Sequence, residues 1–227
     1  MGRKFIVKIM KQINADKEYF GFIMQTRKHY HDDKIIAQCL DESKDVYRMP
    51  KNPKLVVDVG GNIGCVSLVA ARRGANVITF EPASDNFETL VYNINVNGYQ
   101  NKITPVNLGV GKPGPTKLFI HPNNSGATSS YLEQRGLTED NYETVGFISI
   151  HDVFNKYDIT HCDLLKLDCE GSEKDIINDL DDNLTSKIGQ ISVEFHDKKI
   201  IGELIKRLER WYNTELLHRY EYAFFKK

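Results

Sequence analysis

The residues best suited to chemistry fall in three short stretches. Asp58-Val59-Gly60-Gly61-Asn62-Ile63-Gly64 sets glycines and a carboxylate between a short apolar run and an apolar helical pattern, and Glu81 follows 21 residues after Gly60. Glycine lets the backbone turn tightly and approach a ligand, and an acidic side chain about 20 residues further on can accept both hydroxyls of a ribose. The second stretch is Asp168-x-Glu170 and the third is Glu194-x-His196. Each ends an apolar run that reads as a strand, so both fall at the sheet edge where open α/β proteins bind ligands.

The charge of that edge discriminates between cofactors. A pyrophosphate calls for helix N–H groups and few carboxylates, whereas Asp58, Glu81, Asp168 and Glu170 all gather at the strand ends. Asn62 also replaces the middle glycine of the G-x-G-x-x-G dinucleotide pattern, and there is no Gly-Lys-Ser/Thr of a P-loop. S-adenosylmethionine, with a cationic sulfonium and amino group and no phosphate, suits the edge better than NAD.

The elements that must position these residues follow from the apolar pattern. Residues 55–58 and 77–81 read as buried strands and flank a helix over 65–73 closed by Gly74, the content of one parallel crossover unit. A helix follows from Ser84, with Phe87, Leu90, Val91 and Ile94 on one stripe and a capping box between Asp85 and Glu88. Strands are expected over 103–107, 163–168 and 188–194, with a helix from about Ser172 and a long amphipathic one through Ile201, Leu204, Ile205, Leu208 and Trp211. Helices then cover both faces of a mainly parallel sheet. Residues 1–50 form a basic lead-in with one helix after Asp32 and Asp33, and 51–227 form one domain. Residues 109–147 are an irregular insertion framed by short strands near 117–121 and 146–150, and the alternation at Tyr220, Tyr222 and Phe224 predicts a final antiparallel strand.

Composition bounds the function classes. The 227 residues are 41% hydrophobic and 27% charged, the balance of a globular chain with a real core. Thirty basic and 31 acidic residues give a net charge of -1, so no global positive field draws the chain to nucleic acid or to anionic membrane. The middle is acidic, with 9 basic against 18 acidic residues from 55 to 186. Cys39, Cys65, Cys162 and Cys169 lack CxxC or zinc spacing and suit a reduced compartment. No apolar run reaches membrane-spanning length, and the run at 5–10 is interrupted by Lys8, so a cytoplasmic location is expected.

The stretches VVDVGGNIG, ITFEP, VNLGVG, the Asn-Ser-Gly-Ala-Thr-Ser-Ser segment, LLKLDCEGSE and ISVEFH stand in this order from about Leu55 to His196. In them the sequence resembles the FkbM-type methyltransferases, S-adenosylmethionine-dependent enzymes that mostly methylate hydroxyl oxygens. The resemblance implies the Rossmann-like class I methyltransferase fold, α/β with a mainly parallel seven-stranded sheet and one antiparallel strand. It puts the methionine end of the cofactor near Asp58, Gly60, Asn62 and Gly64, the ribose on Glu81, the adenine beside Asn107 and Leu108, and the sulfonium and amino group before Asp168.

Methyl transfer to oxygen is an in-line displacement that must also remove the hydroxyl proton. His196 is the expected base, with Glu170 sharing the role or holding the acceptor hydroxyl. The same acids and imidazole could bind a divalent metal, ranked below a metal-free site, or the acids could simply cap a helix. The expected acceptor is a small hydroxylated molecule such as a sugar or secondary metabolite, for which the small polar side chains of 123–130 offer hydrogen bonds. An NAD-dependent oxidoreductase and a non-catalytic cofactor-binding module of the same fold are the alternatives.

Overall fold

The computed structural model describes residues 14–28, 30–122, 124, 127–131, 137–197, 199–217 and 222–227. The lead-in carries a hairpin, β1 (Lys17–Tyr19) and β2 (Phe22–Met24), and helix α1 (Asp32–Cys39). The first crossover units follow as β3 (Leu55–Val59), α2 (Cys65–Arg72), β4 (Asn76–Phe80), α3 (Ser84–Val96) and β5 (Ile103–Val106). Next come β6 (Gly109–Val110), β7 (Gly114–Phe119), β8 (Tyr142–Ile148) and α4 (Ile150–Lys156). The chain closes with β9 (Leu164–Leu167), α5 (Glu173–Asp179), α6 (Asp182–Lys187), β10 (Gln190–Glu194), α7 (Ile201–Leu208), β11 (Asn213–Leu217) and β12 (Tyr222–Lys226).

Seven strands form the central sheet in the order β11-β12-β10-β9-β3-β4-β5. β3, β4, β5, β9 and β10 pair in parallel, and β12 runs antiparallel to both of its neighbours. The sheet is therefore mainly parallel with one reversed strand, as the resemblance implies. Side chains alternate across a strand, so Val57 and Val59 of β3 enter the core layer that holds Val153, Phe154, Ile176 and Leu204. Val56 enters the opposite layer, with Ile36, Leu68, Leu90 and Ile94. Helices α1, α2 and α3 thus cover one face, and α4, α5 and α7 contribute to the other. The chain reverses from β3 toward β4 on one side and β9 on the other, which opens a crevice at the strand ends.

Three local expectations change. The capping box at Asp85 and Glu88 does not form: α3 starts after Ala83 without a side-chain cap. Glu81 instead takes the Ala83 N–H, and Glu143 takes the N–H and hydroxyl of Ser84. The insertion is not irregular throughout, because β6, β7 and β8 form a second sheet in the order β6-β8-β7. Its strands are only partly buried on one side, which weakens their apolar signature. The amphipathic helix ends at Leu208, short of Trp211. Tyr220, anticipated in the last strand, lies outside the described residues.

Candidate functional site

The glycine turn is built from backbone that few residues accept. Gly60 and Gly64 have φ of 84° and 94°, and Asn62 has φ of 48°. Gly60 is irreplaceable for a second reason: a Cβ there would lie 1.7 Å from the backbone oxygen of Asp168. The N–H groups of Gly60 and Gly61 both donate to the Phe80 carbonyl at 2.9 Å, tying the turn to the end of β4.

Glu81 follows directly after β4 and is buried. Its Oε2 accepts the Asn62 N–H at 2.8 Å, and its Oε1 accepts the Ala83 N–H at 2.9 Å and the Asn86 amide at 3.2 Å. Burial outweighs these bonds and pushes the Glu81 carboxyl up to about 7. Asn86 is held in turn by the buried Arg27, which donates to it at 2.6 Å and forms a forked pair with the buried Asp32. A lead-in residue thus braces a carboxylate of the central sheet.

A buried lysine organises the opposite wall. Lys166 Nζ stands 3.0 Å from Asp58 Oδ1 and 3.6 Å from Asp168 Oδ2, and donates to the carbonyls of Gly60 at 2.6 Å and Val59 at 3.3 Å. Burial works against its charge, yet Asp58 and Asp168 prevail and hold the ammonium above its usual range. The Tyr47 phenol donates to Asp168 Oδ2 at 2.7 Å. Burial disfavours the Asp168 carboxylate, but Lys166, His196 and Tyr47 keep its pKa below the ordinary value.

After Asp168 the backbone turns sharply. Glu170 adopts φ of 54°, a left-handed conformation uncommon for a side-chain-bearing residue, and its carbonyl accepts the hydroxyl of the fully buried Ser129. The turn sets the Glu170 carboxylate 3.5 Å from His196 Nε2, which also lies 3.7 Å from Asp168 Oδ1 and 4.0 Å from Glu194 Oε1. His196 Nδ1 meets the buried Glu173 at 3.0 Å, and Glu173 also accepts the N–H groups of Cys169 and Gly171. Burial opposes the imidazolium, but the bond to Glu173 and the other acids raise His196 to about 10. Burial pushes Glu170 up to about 8 and Glu194 to about 7.

These groups surround one cavity at the strand ends. Gly60, Asn62, Glu81, Asp168, Glu170 and Glu194 line it, together with Tyr47 and Asn86. Others anticipated from sequence stand back from the lining. Asp58 is fully buried and bonded to Lys166 and Ser67, and Gly64 begins α2. The Asn107 amide donates to the carbonyls of Glu81 and Pro82, Leu108 packs on the core, and the next residues, Gly109 and Val110, reach the cavity. His196 sits behind Asp168 and Glu170. Cys169 touches the cavity and packs on the core, and burial pushes its thiol well above the usual range.

Sequence reasoning missed Lys166, Tyr47, Arg27 and Asn86. Lys166 had a signal, a charge in the middle of the otherwise apolar Leu164-Leu165-Lys166-Leu167. The other three lie in no motif and are brought in by tertiary packing. One ligand atom from each of Asp168, Glu194 and His196 lies within 4.8 Å of the others, a spacing and donor set that a divalent cation accepts.

Comparison with known proteins agrees with this geometry. The model of the methyltransferase FkbM domain matches residues 58–222. "Methyltransferase 1" of Beauveria bassiana is 28% identical over 182 residues, covering 70% of this chain and 71% of its own. "Methyltransferase sdnD" of Sordaria araneosa is 25% identical over 215 residues, covering 79% and 83%. Among solved structures, the precorrin-6y C5,15-methyltransferase of Geobacter metallireducens superposes with a TM-score of 0.50 over 91% of this chain and 95% of that one, at 12% identity. That likeness speaks to the fold, while the match over 58–222 takes in the glycine turn, Glu81, Asp168, Glu170, Glu194 and His196: the chain belongs to the FkbM family of S-adenosylmethionine-dependent methyltransferases.

Proposed function

We propose that the protein transfers a methyl group to a hydroxyl of a small molecule, a sugar or a secondary metabolite. The observation that carries this reading is the meeting, at one cavity, of the ribose-type carboxylate Glu81 with a separate pair of acids, Glu170 and Glu194, whose carboxyls titrate near neutrality. The donor set fits the family's cofactor. Among the described residues, four carboxylates and neither lysine nor arginine line the cavity, which favours cationic sulfonium and amino groups over a pyrophosphate. Asn62 Oδ1, buried without a hydrogen-bond partner among the described residues, is a further acceptor for a ligand.

S-adenosylmethionine, when bound, supplies an electrophilic methyl group. In our reading the Glu81 carboxylate accepts the ribose hydroxyls and Asp168 faces the amino group. Glu170 takes the proton of the acceptor hydroxyl, because a carboxyl raised to about 8 is a stronger base than an ordinary one. His196, raised to about 10, is an imidazolium at neutral pH and serves as the charge partner that orients Glu170 and favours its ionised form as the pH rises toward 8. Proton acceptance thus moves from His196 to the glutamate first considered as its helper. Asn124, Thr128 and Ser130, which line the same cavity from the insertion, offer hydrogen bonds to a polyhydroxylated acceptor.

The test is methyl transfer against a panel of sugars and hydroxylated metabolites with matched amines. Glu170→Gln is expected to lower kcat by roughly a hundredfold or more with cofactor affinity kept, and the wild-type rate to climb with pH through about 8. Methylation of the amines alone, or wild-type turnover by Glu170→Gln, would refute this. Binding of cofactor without turnover on any acceptor would favour the non-catalytic module. A second reading has the 4.8 Å cluster of Asp168, Glu194 and His196 in its favour. A divalent cation there would lower the acceptor's pKa, and activity lost to a chelator and restored by magnesium would establish it.

A further inference from the structure

The lead-in segment reaches the cavity through Tyr47, for which neither the family match nor the cofactor motifs give a role. Tyr47 is 6% exposed, lines the cavity and donates its phenol to Asp168 Oδ2 at 2.7 Å. Its backbone is fixed from the central sheet: Ser192 of β10 donates to the Tyr47 carbonyl at 2.6 Å, and Gln190 donates to the Arg48 carbonyl at 2.7 Å. On the other side Arg73 donates to the Met49 carbonyl at 2.9 Å. Asp45 and Arg48, on either side of Tyr47, adopt left-handed φ of 39° and 49°, so the segment bends twice to bring in the ring.

The target of that bond matters. Asp168 lies beyond the end of β9, where its carboxylate could turn about its own axis. The phenol and Lys166 Nζ both engage Oδ2, at 2.7 and 3.6 Å, which fixes the carboxylate plane and leaves Oδ1, 3.7 Å from His196 Nε2, as the oxygen available to a ligand. Burial and Asp168 keep Tyr47 a neutral phenol, so it stays a donor.

We propose that Tyr47 is a positioning residue for the methionine end of the cofactor, acting by orienting Asp168. This rests on the S-adenosylmethionine reading of the cavity. It gives the lead-in a part in cofactor recognition.

The test compares two ligands by calorimetry on the full chain. S-adenosylhomocysteine carries the amino and carboxylate groups of the methionine end, whereas 5′-methylthioadenosine keeps the adenine, ribose and thioether and lacks them. Tyr47→Phe retains the ring and deletes the donor. It is expected to weaken S-adenosylhomocysteine by roughly tenfold while 5′-methylthioadenosine binds as in the wild type. A general disturbance of the pocket would weaken both ligands equally, and that outcome, or unchanged affinity for both, overturns the proposal. If Tyr47→Phe does not fold, Ser192→Ala replaces it, since it loosens the Tyr47 carbonyl from outside the cavity. The same selective loss supports the proposal, and no selectivity overturns it. Wild-type protein that binds neither ligand would overturn the cofactor reading itself, which separates that failure from this one.

Discussion

Replacing Lys166 by methionine tests the wall that joins the glycine turn to the fourth parallel strand. The side chains of Lys166 and Asp58 are 2% and 0% exposed, and their charged atoms stand 3.0 Å apart. Removing one partner of a buried pair costs about 3–5 kcal/mol, because the remaining charge stays buried without compensation. The carbonyls of Gly60 and Val59 lose a donor as well, at about 1 kcal/mol each for an ordinary hydrogen bond. A loss of about 5–7 kcal/mol is therefore expected, a large part of the stability of a typical domain. Methionine nearly matches the length of the lysine stem, so a cavity contributes little.

The double variant Lys166→Met/Asp58→Asn removes the stranded charge and keeps an acceptor for the Ser67 hydroxyl, which bonds to Asp58 at 2.6 Å. It is expected to recover about 2 kcal/mol or more relative to Lys166→Met, a coupling that a double-mutant cycle resolves. Urea denaturation followed by circular dichroism gives all four corners of the cycle. If Lys166→Met does not fold at all, refolding of the double variant is the readout. A loss below about 1 kcal/mol in the single variant, or strictly additive effects, would refute the reasoning.

Further outcomes follow from the same geometry. Gly60→Ala should lose at least about 2 kcal/mol of stability in denaturant titrations, since φ of 84° disfavours a side chain and its Cβ would overlap the Asp168 carbonyl. Glu81→Ala should weaken S-adenosylhomocysteine by about 1–3 kcal/mol in calorimetry, and equal affinity would remove the ribose assignment. Because burial raises Glu81 to about 7, its carboxylate forms only as pH climbs through that value, so cofactor affinity should improve from pH 6 to 8 in the wild type and respond less in Glu81→Gln. Arg27→Leu leaves Asp32 charged and buried and should cost about 3–5 kcal/mol, read by thermal or chemical unfolding, with Arg27→Leu/Asp32→Leu more stable than the single variant.

Much of the fold was legible because its signals are local. The apolar runs expected at 55–58 and 77–81 form the buried strands β3 and β4, the second ending one residue early at Phe80, and Gly74 and Gly98, which close α2 and α3, have φ of 96° and 75°. What escaped depends on tertiary choices. The acids at Asp85 and Glu88 fit a capping box, but Glu81 and Glu143 reach the first N–H groups of α3 from elsewhere. The half-exposed strands β7 and β8 carry little apolar periodicity, so their pairing shows only in three dimensions. At the site, the carboxylates and His196 stood out as residue types, whereas their charge states did not. His196 reads as a near-neutral base until Glu173 and three other acids are seen around it. Tyr47 and Arg27 had no motif, since Tyr47 meets Asp168 121 residues away and Arg27 meets Asn86 59 residues away.

The contact between Gly60 and the Asp168 carbonyl separates two kinds of sequence change. Backbone fitted against backbone, with Lys166 bonded across the join, leaves the inner half of the cavity almost no freedom to vary. The outer half is made by the insertion, whose sheet of β6, β7 and β8 is separate from the central one; β7 and β8 contribute Leu118 and Phe147 to the lining, and the loop between them Asn124 and Thr128. Substitutions or length changes there can reshape what enters the cavity without moving the carboxylates Glu81 and Asp168. New acceptor preferences are therefore open to this architecture by grafting or diversifying 114–148 alone, and a library confined to that stretch should yield altered preference far more often than lost cofactor binding.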